Sequence, residues 1–146
     1  MVFTNIIVAS SNLIAVYFVL ISETSGTTNN SFIYVPMIAS FIYHLAETKH
    51  NLPGIYPLNL YAYKLLWVDR ICAVLSAAYV TISIYSYPKI MTAKFLLIGI
   101  FGLGSLLYSE RDFLKGFVVN KTEFVISHTI WHFAAFFCLS CVLGPR

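Results

Sequence analysis

Charge is what this sequence has least of: nine Lys or Arg and six Asp or Glu in 146 residues, 10% of the chain. An ordinary soluble domain carries about 25%, so too few polar groups are present here to coat a water-facing exterior. Three cysteines are too few for a disulfide scaffold. Seven Gly and five Pro exclude a collagen-like or low-complexity chain. The net charge of +3 is small and dispersed, which excludes a nucleic-acid surface. What is abundant is apolar: 59% hydrophobic residues, 16% aromatics and a mean hydropathy of +0.80. The solvent for such a surface is lipid, and the composition reads as one all-α integral membrane domain over residues 1–146.

A transmembrane helix needs about 20 mostly apolar residues. Five runs approach that, over residues 6–21, 32–47, 60–86, 90–108 and 124–143. They are separated by a polar stretch at 22–31, a loop rich in helix breakers at 49–59, the Tyr87-Pro88-Lys89 break and a charged connection at 109–123. The opening run lacks a basic leader and a small-residue cleavage site, so it reads as a retained helix rather than a secretory signal. Each span is apolar nearly all round, and only its polar residues can orient it.

Five spans put the two chain ends on opposite sides. The N-terminal side carries Lys49, Lys64, Arg111, Lys115 and Lys121 in its connections, with Arg70 just inside the third span; the other side carries Lys89, Lys94 and Arg146. The positive-inside rule then places the N-terminal side in the cytosol. Two glycosylation sequons, Asn29-Asn30-Ser31 and Asn120-Lys121-Thr122, fall on opposite sides and decide nothing.

Ionisable groups inside a bilayer cost about 2.5–3.5 kcal/mol each on insertion scales, which makes them functional candidates by default. Here they are His44, Asp69, His128 and His132. All four lie towards the N-terminal-side boundary and share one layer of the membrane, with His132 one turn deeper than His128. His128 and His132 stand four apart on one helix face, the spacing of helical zinc motifs. His44 at the same depth would complete three nitrogen ligands for Zn2+, with a fourth position open to water. Asp69 could orient or deprotonate that water. Ser40, one turn before His44, could bond Asp69 or donate to an oxyanion. Glu47 could hold the remaining ring nitrogen of His44. Taken singly, a His near an interface is usually only interfacial, and Asp69 beside Arg70 could be an ion pair. A bis-His haem fits less well, because axial ligands approach from opposite faces whereas His128 and His132 share one.

Ser40-x-x-x-His44 in one span, Asp69 in the next and His128-x-x-x-His132 in the last together resemble the CREST superfamily of alkaline ceramidases, progestin and adipoQ receptors and Per-one-type GPI-remodelling hydrolases. The segments S-F-I-Y-H-L-A-E, L-L-W-V-D-R and H-T-I-W-H look most like the GPI-remodelling and transmembrane-protein-eight branches. The resemblance implies a helical bundle reduced from seven spans to five, with His44, His128 and His132 on zinc, Asp69 handling water and Ser40 in support. It implies cleavage of an amide or ester bond in a membrane lipid: a ceramide, a phospholipid or a GPI lipid. Two other functions fit the same residues. One is a receptor or scaffold with structural zinc, and the other a small metal-free channel or assembly protein whose His and Asp line a wet path.

Other features read as structural. Cys138-Leu139-Ser140-Cys141 lies at the far end of the last span and reads as small packing groups. Gly99, Gly102 and Gly104 offer a close-packing surface. His50 reads as solvated. Tyr61, Tyr63, Trp67, Tyr85 and Tyr87 fit an interfacial aromatic belt.

Overall fold

The computed structural model describes residues 2–23, 31–111 and 120–143. The first sequon, Lys115 and the Gly144-Pro145-Arg146 end are outside the described residues or extend beyond them. Among the described residues the chain is all helical. The helices are α1 (Phe3–Ser11), α2 (Ile14–Glu23), α3 (Ser31–Ala46), α4 (Ala62–Ser86), α5 (Ala93–Ser109) and α6 (Lys121–Leu143).

Local chemistry sets several helix boundaries. Thr92 caps α5, its hydroxyl accepting from Phe95 N at 3.2 Å. Asn120 starts α6 three residues earlier than the hydropathy suggested, its side-chain oxygen accepting from Thr122 N at 3.0 Å. The first span is one apolar stretch but two helices. It turns at Asn12, whose side-chain amide donates to Ala9 O at 3.2 Å while its backbone N–H donates to the same oxygen at 3.1 Å. Beyond α3 the chain folds back so that Ile55 N donates to Leu45 O at 2.8 Å. Gly54, with φ of +62°, makes this return possible. A Cβ there would stand 2.6 Å from both Ala46 O and Asn59 Cβ.

Three stretches are long and apolar enough to cross a membrane: Phe3–Leu20, Leu58–Ser86 and Lys121–Leu143. The apolar helices Ile33–Ala46 and Ala93–Ser109 are shorter. At 1.5 Å per residue they reach about 21 and 25 Å, against a hydrocarbon core of about 30 Å. The five expected runs are therefore all helical, but two of them fall short of a full span. α3 stops at Ala46 because Glu47 begins the turn, and α5 starts late because its cap is Thr92.

The helices pack in a definite order. α5 lies along α6, α4 leans on α3, and α1 contacts both α3 and α6. Gly102 is the close-approach point of α5 and α6, where a Cβ would fall 2.2 Å from that of Ala134. Gly99 faces Cys138 more loosely, and Gly104 faces open space, so the glycine surface is narrower than the sequence suggested. One apolar cluster joins Phe18, Val19, Ile33, Met37, Phe95, Phe136 and Leu139. A second joins Val8, Leu52 and Phe124 nearer the N-terminal side. The polar centre lies between them. α4 is exposed along nearly all its length, with Ile71, Val74, Leu75 and Ile82 outward, and it scarcely touches α5.

Candidate metal centre

Five helices and one loop residue build the centre. α3 brings His44 near its C-terminal end, and α6 brings His128 and His132 from its first half. The three imidazoles form a near-equilateral triangle, with ring centroids 4.7, 4.8 and 5.0 Å apart. All three are buried, and one ring nitrogen of each lies within 4.8 Å of the others. This group could hold a metal ion. A tetrahedral zinc with Zn–N near 2.0–2.1 Å needs nitrogens about 3.4 Å apart, an inward shift of under about 1 Å per ring.

The Nδ1 atom of each ring is already engaged on the outside of the triangle. His44 Nδ1 meets Glu47 Oε2 at 2.7 Å, His128 Nδ1 meets Ser109 Oγ at 3.1 Å, and His132 Nδ1 meets Ser11 Oγ at 2.6 Å. The inward nitrogens are the Nε2 atoms. His44 Nε2 is fully buried and has no hydrogen-bond partner among the described residues. An orphaned buried polar atom is rare and costly, and a cation held by all three rings would satisfy it. Glu47 was expected beside His44 and is there, its second oxygen accepting from Tyr43 OH at 3.1 Å.

Asp69 and Ser40 occupy the expected neighbourhood. Ser40 lies beside the Asp69 carboxylate, and its oxygen lies 3.4 Å from His132 Nε2. No ion pair joins Asp69 to Arg70 among the described residues. His44, Asp69, His128 and His132, singled out by depth, and Ser40, singled out by spacing, thus lie together, on α3, α4 and α6.

A cavity of about 620 Å³ lies beside this centre, between α3, α4, α5 and α6. Ser40, Asp69, His128 and His132 line its polar end, and side chains such as Val80, Leu103 and Leu139 line the rest. Glu110, also on the lining, is tied to Lys49 at 3.6 Å. Arg111, just past α5, pairs with Glu123 and stacks over Tyr108, which joins the ends of α5 and α6.

Some readings change. His50 is buried rather than solvated: it stacks on Phe124 at 4.0 Å and stays outside the three-His group. The left-handed backbone at His50 and Asn51 folds that ring back under the bundle. The three cysteines are free thiols, and none joins the His group. Ser11, Ser109 and Asn5 belong to the surroundings of the centre and were missed. Asn5 is fully buried, and its amide donates to the carbonyls of His44 at 2.9 Å and Glu47 at 2.8 Å, clamping the end of α3. Their signal was polarity without charge, inside an apolar run for Ser11 and at the edge of one for Asn5 and Ser109.

No family model, curated protein or solved structure matches this chain.

Proposed function

We propose that this chain is a shortened CREST-type membrane hydrolase that uses Zn2+ to cleave an amide or ester bond of a lipid. The observation that carries the reading is the convergence of His44, His128 and His132 beside a largely apolar cavity that His128, His132, Asp69 and Ser40 line. Three neutral imidazoles with a fourth position left open are the donor set of a catalytic zinc. Asp69 and Glu47 supply two carboxylates beside the centre, matching the charge of a dication. When bound there, zinc supplies Lewis acidity and lowers the pKa of water towards about 7.

The chain's own residues do the rest. Asp69 accepts the proton of the attacking water and returns it to the leaving amine or alcohol. Ser40 stands beside the Asp69 carboxylate and supports it. The cavity wall takes the hydrocarbon part of the substrate out of water, and the gap between α4 and α5 gives it a sideways path from the bilayer. Water arrives from the polar end near Glu110 and Lys49.

A receptor or scaffold with structural zinc is the second reading. It is favoured by the sparse contact between α3 and α6, which a metal would staple together. Turnover separates the two. Purified full-length protein incubated in micelles with ceramide, phospholipid and GPI-type lipids releases fatty acid from at least one class, and a zinc chelator abolishes the release. Bound zinc with no release from any class supports the scaffold instead.

A further inference from the structure

The partners on the outer side of the three rings fix where the ring protons sit. A serine hydroxyl has one proton to give and lone pairs to accept with. Ser11 Oγ gives its proton to Val8 O at 2.6 Å, one turn back in α1. Towards His132 Nδ1, also at 2.6 Å, it can therefore only accept. Ser109 repeats the arrangement on α5: its hydroxyl donates to Leu106 O at 2.8 Å and meets His128 Nδ1 at 3.1 Å. A neutral imidazole that donates from one nitrogen presents a bare lone pair on the other. Both rings are then Nδ1–H tautomers with bare Nε2 lone pairs, and the one on His132 accepts from the Ser40 hydroxyl at 3.4 Å. The Glu47 carboxylate imposes the same tautomer on His44.

We propose that Ser11 and Ser109 are positioning residues of the His centre, each setting the tautomer and the ring orientation of one histidine from a helix that contributes no ligand itself. α1 and α5 thereby become parts of the centre, α1 doubly so because Asn5 also clamps the end of α3. The consequence for metal rests on the function proposed above, whereas the tautomers do not depend on it. Residues holding the outer nitrogen of a metal-bound His typically contribute 10- to 100-fold in metal affinity.

Ring-nitrogen NMR of the full chain in detergent, labelled with 15N-histidine and free of metal, reads the tautomers directly. In the natural sequence His128 and His132 show protonated Nδ1 and bare Nε2. Ser109→Ala shifts only His128 towards the other tautomer, and Ser11→Ala shifts only His132. Zinc titration against a competing chelator gives a second readout: each alanine variant binds about 10- to 100-fold more weakly. Ser→Thr at either position restores the affinity. Ser127→Ala, which loses a hydroxyl bonded only to carbonyls of its own helix, leaves it unchanged. Protons on Nε2 in the natural protein, or both readouts unmoved in both alanine variants, would overturn the proposal. Protonated Nδ1 in a natural protein that takes up no zinc would support the tautomer assignment while contradicting the proposed metal function.

Discussion

Asp69→Asn is expected to keep its zinc and lose lipid hydrolysis by about 10²- to 10⁴-fold, the usual contribution of a general base. Asp69 stands on α4, outside the three-ring group, so metal retention does not depend on it. Asparagine has the same shape, and its amide still fits beside Ser40. It cannot take a proton from water at neutral pH. Zinc content and fatty-acid release measured on one preparation separate the two effects. Full activity in the variant would move the base elsewhere, and loss of zinc would make Asp69 a ligand.

Glu47→Ala is expected to damage stability and metal binding together. Glu47 is buried and accepts from His44 Nδ1 at 2.7 Å and from Tyr43 OH at 3.1 Å. Truncation strands two buried donors, at about 1–3 kcal/mol each. Domains are typically stable by only about 5–15 kcal/mol, so the loss is a large share. His44 also loses the partner that fixes its ring, which weakens zinc by about 10- to 100-fold. Glu47→Gln keeps one acceptor and is expected to fall between the two. The check is thermal unfolding with and without zinc in the same detergent. An alanine variant as stable as the natural protein would mean that the Glu47 contacts contribute nothing.

The sequence carried the three-His group because burying ionisable groups in lipid is costly enough to make each one conspicuous. His44, Asp69, His128 and His132 could be placed in one layer from their positions along the runs, and Ser40 followed from its spacing to His44. Glu47, three residues from His44, was legible only as one of two readings, a partner for that ring or an ordinary interfacial carboxylate. Ser11, Ser109 and Asn5 were not, because small neutral polar residues are common in membrane helices and cost little to bury; only the three-dimensional contacts distinguish them from packing. Helix lengths were half-legible. Hydropathy marks where apolar runs lie, but the starts of α5 and α6 depend on single caps at Thr92 and Asn120, and the break in the first span depends on Asn12. His50 was misjudged because its burial follows from the left-handed turn at His50 and Asn51, which no run of hydropathy reveals. That Gly102 meets Ala134 while Gly104 meets nothing is decided by the rotation of α5 about its axis.

The central claim is that three histidines from two helices hold one metal ion. Its most direct test is elemental analysis of full-length protein purified in detergent, comparing the natural sequence with a His128→Ala, His132→Ala double variant. The account predicts about one zinc per natural chain, the single ion that a three-His tetrahedral site holds, and none in the variant. A well-folded natural protein without zinc, or a variant that keeps it, would contradict the account.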